Sequence, residues 1–387
     1  MFLVIYVKAV VLSGGGSKGS YQIGVWMALR KLNINYDIVC GTSVGALNGA
    51  LMVQDSFYKA ILLWKKVDMK LLFGNNVNNS TTTKDIISLY GKNIIKNHGM
   101  DAKGLENVID KYINTKKFFN SKIDFGLVTI NATKKEVVQL KKKDIKEDKL
   151  NSYLMASAAC FPAFQTKDID GSKYIDGGYF DNLPINLAIE LGADEIIAVD
   201  LKAPGFKAKV NKDVKITTIS PNNKLSNFLK FSEEGTVKNI KYGYNDTMKK
   251  FNIYHGIKYT FKDKKFNRNL SEITDYYLEI LKKVTRIKSI QELLKLIPVK
   301  NDNLILKEME SLGHLFKIDD TKVYSIKRFN KILLKRFKNN KNMKEVQEIK
   351  NIIDNIENNN YQYVKKIGLI KPKILIDSIY IYLLKEV

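Results

Sequence analysis

Cysteine is nearly absent from this 387-residue chain, and the two present, Cys40 and Cys160, lie far apart with no CxxC pair. That excludes a disulfide framework and a thiolate zinc site, and points to a reducing compartment. Long hydrophobic runs are missing as well. No stretch of about eighteen uncharged apolar residues occurs, so no transmembrane helix is expected. The N-terminal MFLVIYVKAVVLSGGG has no basic leading region, Lys8 interrupts its apolar run, and the run passes straight into glycines. It reads as a buried β-strand rather than a signal peptide. The expected location is therefore cytoplasmic, including the membrane periphery. Histidine is limited to His98, His255 and His314. No internal repeat is present.

Positive charge is what the chain has in excess. Its formal net charge is +24, and it is unevenly spread. Residues 1–200 hold 25 Lys+Arg against 20 Asp+Glu, whereas the remaining 187 hold 39 against 20. Such a field attracts anionic surfaces, nucleic acid or lipid headgroups alike. No nucleic-acid-binding motif accompanies the charge, so no nucleic-acid partner is expected.

The first half alternates strand and helix patterns, which predicts an α/β domain with a mainly parallel sheet. Strands are expected at Ala9–Leu12, Tyr36–Cys40, Phe125–Ile130, Val137–Leu140, Glu195–Leu201 and Val214–Ile219. Helices are expected at Ser20–Leu32, Val44–Val53, Phe57–Phe73, Asp101–Ile113 with Asp101 as its cap, and Leu183–Leu191 closed by Gly192. Pro221-Asn222-Asn223 marks a boundary. Beyond it helical periodicity dominates, at Ile273–Ile297, Val323–Lys338 and Met343–Ile356.

Three short motifs carry chemistry. Gly41-Thr42-Ser43-Val44-Gly45 fits a nucleophile elbow: a strained strand-to-helix turn lifts the serine hydroxyl, and glycines on either side let backbone pass closely. The helix that follows offers N-terminal amides to negative charge developing beside Ser43. Gly14-Gly-Gly-Ser-Lys-Gly19 follows a strand and opens a helix, with unshielded backbone N–H groups of the kind an oxyanion hole needs. A P-loop would require Gly-Lys-Ser/Thr after its second glycine, whereas Ser20-Tyr21 follow Gly19. A dinucleotide fingerprint requires an acidic residue after the second strand, but here that strand ends in the serine elbow. Asp176-Gly177-Gly178 closes the hairpin DIDGSKYIDGG. As a bare dipeptide Asp-Gly is a turn; as a site it lets Asp176 approach a serine, with burial raising its basicity.

GGGSKG, GTSVG and DGG, in this order and setting, resemble the three signature motifs of the patatin-like phospholipases. Ala156-Ser-Ala-Ala-Cys-Phe-Pro162 resembles the small-residue helix and proline that precede the family's catalytic aspartate. Asp176–Asp200 is similar to bacterial members related to neuropathy target esterase. The resemblance implies a patatin-like three-layer α/β/α domain over residues 8–202; periodicity and charge predict a mostly helical basic region over 221–387. It implies Ser43 as nucleophile, Asp176 as base, and Gly14, Gly15 and Gly16 as oxyanion donors, with Lys18, Gly19, Gly41, Gly45, Gly177 and Gly178 supporting the motifs. Val44 stands where many members have Ala. The implied reaction is hydrolysis of phospholipid or lysophospholipid acyl esters without a metal or organic cofactor.

Chain order also permits an α/β-hydrolase-type esterase or thioesterase with a Ser43–Asp176–His255 triad, although no motif surrounds His255. In the second half, YSIKRFNKILLKRFK at 324–338 places Ile326, Phe329, Leu333 and Phe337 on one helical face and Lys327, Lys331 and Lys335 on another. Two readings stay open: a helix lying on an anionic bilayer, or a surface helix whose apolar face fills a core.

Overall fold

The computed structural model describes residues 6–73, 102–160, 164–227, 230–285 and 304–386. The chain divides into two units, Met1–Lys250 and Phe251–Val387.

In the first unit the apolar runs become strands buried on both faces, the signature of a mainly parallel sheet covered on each side. Strands β1 (Lys8–Leu12), β2 (Ile38–Thr42), β3 (Asp124–Asn131), β4 (Glu136–Lys141), β5 (Lys167–Ile169), β6 (Ser172–Asp176), β7 (Glu195–Val199) and β8 (Lys215–Ile219) form one sheet. Its order is β5-β6-β3-β2-β1-β7-β8, with β4 paired to β3. The central pairs β3/β2, β2/β1, β1/β7 and β7/β8 are parallel; β4 and β6 run antiparallel to β3.

Alternation along the strands sorts the two faces. Ala9, Val11, Ile38 and Cys40 pack with Leu187 and Ala188 of one helix, while Leu12, Val39 and Phe125 face Gly49 of another. The helices are α1 (Ser20–Lys31), α2 (Val44–Val53), α3 (Phe57–Lys66), α4 (Met69–Phe73), α5 (Lys103–Tyr112), α6 (Thr115–Asn120), α7 (Leu150–Ser157), α8 (Ile185–Glu190) and α9 (Glu233–Lys250). The expected three-layer architecture with a mainly parallel sheet is present. The helical run expected at Phe57–Phe73 is broken between α3 and α4, where Val67 is extended. Asp101 lies outside the described residues; Ala102 holds the cap position of α5.

The first unit continues to Lys250, beyond the expected end at 202 and the expected boundary at 221. Its last helix, α9, packs on α1 with backbones nearly touching: a Cβ at Gly24 would run into the Ile240 carbonyl, and one at Gly243 into that of Tyr21. Tyr21 donates to the buried Asp246 at 3.0 Å, and Asn222 donates to the same carboxylate at 3.0 Å. The Pro221-Asn222-Asn223 turn is thus bound into the first unit.

The second unit is helical apart from a two-residue parallel pair, β9 (Thr260–Phe261) with β10 (Val323–Tyr324). Its helices are α10 (Phe266–Thr285), α11 (Leu304–Leu315), α12 (Ile326–Asn339), α13 (Lys344–Glu357), α14 (Tyr361–Ile370) and α15 (Pro372–Glu386). The stripe Ile326, Phe329, Leu333 and Phe337 of α12 is buried in this unit's core. The Phe329 ring meets Tyr259, Phe261 and Tyr324 edge-on at 5.0, 5.2 and 5.3 Å. Of the two readings of this helix, its apolar face is accounted for by the core; its cations remain exposed. Among the described residues no helix is long and apolar enough to cross a membrane.

Candidate active site

The sheet topology brings two motifs together at one strand. On one edge of β3, β2 pairs as far as Thr42 opposite Val128, and β6 takes over with Asp176 opposite Thr129. β4 spans the other edge over Gly126–Asn131. The two strands on the shared edge run in opposite directions and end against each other. Ser43, the next residue after β2, therefore meets Asp176, the last residue of β6.

Ser43 sits at φ 57°, ψ −129°, a conformation that costs a non-glycine residue about 1–3 kcal/mol. It survives because its surroundings over-determine it. β2 enters from one side and α2 leaves at once on the other. A Cβ at Gly41 would run into the Gly45 carbonyl, and one at Gly45 into that of Leu12. The Ser43 amide donates to Ser157 Oγ at 2.9 Å, and Ser157 donates onward to the Val128 carbonyl at 2.7 Å. This is a strained strand-to-helix turn of the expected kind, its amide held by Ser157 of α7, a residue of the small-residue stretch noted in the sequence.

The Ser43 hydroxyl lies close enough to the Asp176 carboxylate to favour its ionised form, and both residues line one cavity. Asp176 accepts from the Gly178 amide at 2.7 Å, and it is only 5% exposed. Burial pushes its pKa up to about 6, against the opposing pull of the Ser43 hydroxyl and the Gly178 amide. The result is a carboxylate more basic than usual, yet still ionised near neutral pH. Gly177 is needed because β3 passes close by: a Cβ there would run into the Val128 carbonyl.

The glycine loop lies on the other side of Ser43. Gly15 and Gly16 line the same cavity as Ser43, and their amides make no hydrogen bond to another described residue. Gly14 differs from the expectation that all three serve as donors. Its amide is shared between the main-chain oxygen and Oδ1 of Asn182, at 3.1 Å each. Lys18 is not part of the cavity wall; its ammonium donates to the Lys202 carbonyl at 3.4 Å, and burial lowers its pKa while Asp200 opposes the shift. Gly19 contributes its carbonyl to a buried network. Asn48 Nδ2 donates to it at 3.0 Å and to Gln22 at 2.7 Å, Gln22 donates to the Ser13 carbonyl at 2.7 Å, and Trp64 donates to Asn48 at 2.9 Å. Asn48 and Gln22 tie the glycine loop to α2, and sequence periodicity alone treated both as ordinary helix positions.

The cavity measures about 480 Å³ and is walled mostly by apolar side chains, among them Leu47, Leu51, Trp64, Ile109, Phe164 and Phe231. Its volume lies within the range of small-molecule sites, roughly 300–1,000 Å³. Tyr179 and Phe206 line it while remaining 51% and 60% exposed, so they form part of its rim. Cys160 also lines it; burial and the nearby Asp176 charge raise its pKa, which keeps the thiol protonated and a poor competitor to Ser43.

His255 belongs to the second unit, where its ring stacks on Phe266 at 4.6 Å and its backbone bridges Phe261. His314 is exposed on α11, and His98 lies outside the described residues. Among the described residues no group of three or more His, Cys, Asp or Glu is placed to hold a metal ion.

The sequence profile of the family described as "Patatin-like phospholipase" matches residues 10–189. Curated relatives include lysophospholipase nte1 of Aspergillus terreus, 28% identical over 50% of this chain and 12% of that protein. Patatin-like phospholipase domain-containing protein 7 of Rattus norvegicus is 28% identical over 50% of this chain and 13% of its own length. The chain thus spans about an eighth of the length of these relatives. Among solved structures, VipD from Legionella pneumophila aligns over 97% of this chain and 90% of its own, with 14% identity and a TM-score of 0.40.

Proposed function

We propose, from the match of residues 10–189 to the patatin-like phospholipase family, that this chain hydrolyses carboxyl esters of phospholipids or lysophospholipids through a Ser43–Asp176 dyad. One observation carries the reading: a serine held in a strained elbow and a buried carboxylate of raised pKa meet at the wall of one apolar cavity.

In the proposed reaction Asp176 takes the hydroxyl proton as Ser43 Oγ attacks the acyl carbonyl. The carbonyl oxygen becomes an oxyanion facing the amides of Gly15 and Gly16 and the N-terminal end of α2, while Gly14 holds the loop in place. The intermediate collapses, the C–O bond to the glycerol oxygen breaks, and Asp176 returns the proton to that leaving oxygen. Water, deprotonated by the same carboxylate, then adds to the acyl-serine and releases the fatty acid and Ser43. The apolar walls suit the acyl chain, and the exposed rim aromatics Tyr179 and Phe206 suit the boundary of a lipid surface.

Contact with that surface is proposed to be electrostatic. Lys327, Arg328, Lys331, Lys335, Arg336 and Lys338 of α12 are all exposed, and the helix carries no acidic residue. Near an anionic bilayer each cation contributes about 1 kcal/mol. The proposed setting is the cytoplasmic face of such a membrane.

The test is acyl release from phospholipid and lysophospholipid vesicles by wild type, Ser43→Ala and His255→Ala. The dyad requires loss of release in Ser43→Ala and near-full release in His255→Ala; a loss on the order of 10⁴-fold in a folded His255→Ala would establish the triad instead. Co-sedimentation with neutral and anionic vesicles tests docking, which should be confined to anionic lipid and weakened by Lys327/Lys331/Lys335→Glu. Equal binding to both lipids would refute the electrostatic contact.

A further inference from the structure

The three motifs are far apart in sequence, and the structure ties them together at one dipeptide, Asp181-Asn182, that belongs to none of them. Both residues are buried, at 1% and 2% exposure. The Asp181 main-chain carbonyl accepts from the hydroxyl of Thr42, the residue immediately before the nucleophile, at 2.8 Å. Asn182 accepts from the Gly14 amide through both its main-chain oxygen and Oδ1. The dipeptide lies on the turn that follows Asp176, since the Asp181 amide donates to the Gly177 carbonyl at 2.9 Å. A fourth set of bonds fixes the segment after β7. Asn182 Nδ2 donates to the Pro204 carbonyl at 3.3 Å, the Asn182 amide to the Phe206 carbonyl at 2.6 Å, and the Ala208 amide to Asp181 Oδ1 at 3.3 Å.

Resting on the dyad reading, we propose that Asn182 is a positioning residue: it orients the Gly14–Gly16 loop relative to Ser43 so that the Gly15 and Gly16 amides aim at the forming oxyanion. The geometry requires some such device. Gly14, Gly15 and Gly16 have no side chains with which to anchor themselves, and glycine backbone samples more conformations than any other. An oxyanion donor contributes only when already aimed at the site where charge develops. Asn182 supplies the aim by capturing the Gly14 amide with two acceptors, one of which is a side-chain oxygen held in place by the hydrogen bond that Nδ2 of the same side chain donates to the Pro204 carbonyl. Because the oxyanion exists in the transition state and not in the bound ester, losing this aim should lower kcat and leave KM nearly unchanged. A residue that only stabilised the fold would reduce the fraction of active protein without altering turnover per active site.

The experiment uses the full chain and a soluble short-chain ester, with active sites counted by a serine-reactive phosphonate. Asn182→Ala removes Oδ1 and Nδ2 but leaves the main-chain acceptor for Gly14. It should lower kcat per active site by about 10- to 100-fold, with KM within about threefold, since small misplacements cost up to about 10²-fold. The acid limb of its pH profile should keep the wild-type midpoint, because Asp176 retains both of its partners. Thr42→Val cuts the separate tie to the elbow while keeping side-chain shape, and should lower kcat several-fold in the same manner; it carries the test if Asn182→Ala fails to fold. Unchanged kcat per active site in the folded variants, or a rise in KM alone, would overturn the inference while leaving the dyad intact. Absence of turnover by wild type would overturn the dyad reading and this inference together.

Discussion

Replacing Asp176 by Asn should remove activity and make the protein more stable, and the size of the gain follows from the site. The carboxylate is 5% exposed, and its pKa rises from 3.8 to about 6 on folding. Between those values the folded chain holds a proton that the unfolded chain has released, so stability falls as pH rises through this window. Above pH 6 the full penalty of the buried charge is present. A rise of that size corresponds to about 3 kcal/mol. Asparagine carries no charge to bury. Its oxygen accepts from the Gly178 amide as before, and the Ser43 hydroxyl turns to accept from the new amide. Asp176→Asn should therefore be more stable than wild type by about 2–3 kcal/mol at pH 8, with the gain vanishing near pH 3.5. Urea unfolding followed by tryptophan fluorescence reads this directly, because both tryptophans, Trp26 and Trp64, lie in the first unit. In the same variant kcat should fall by about 10²–10⁴-fold, while wild-type kcat/KM rises with pH around a midpoint near 6. A variant no more stable than wild type at pH 8, or a gain that persists at pH 3.5, would refute the argument that burial sets the base.

Three further outcomes are expected. Ser43→Ala and Ser43→Ala/Asp176→Asn should be about equally inactive in an ester assay, because the two residues act as one unit, and Ser43→Gly should exceed Ser43→Ala in stability by about 1–2 kcal/mol through relief of the φ 57° strain. Phe329→Ala should cost about 3–5 kcal/mol in the second unit's unfolding, measured calorimetrically, while leaving the affinity of the folded protein for anionic vesicles unchanged, since that ring faces the core and not the cationic surface.

Much of the first unit was legible from residue order alone. Val44–Val53 emerged as a helix with the expected bounds, since it is a run of small and apolar helix formers bounded by the elbow. Gly41, Gly45 and Gly177 were readable for a related reason: each stands where another backbone leaves no room for a Cβ, and only one residue type satisfies that. Such requirements are local, or are stamped on the composition of one short segment.

What depended on the tertiary structure is every relation between segments far apart in the chain. That Ser43 and Asp176 meet follows from β2 and β6 sharing one edge of β3, a consequence of register between strands separated by many residues. Asn182 reads in sequence as one polar residue of a turn, and only the folded chain brings it to the Gly14 amide. The first unit reaches Lys250 because α9 lies on α1 through Gly24 and Gly243, two glycines whose need appears only once the helices touch. The helix at Ile326–Asn339 had the same amphipathic pattern whether a bilayer or a core covered it. Periodicity tells which face seeks apolar surroundings; packing against Tyr259, Phe261 and Tyr324 decided what those surroundings are.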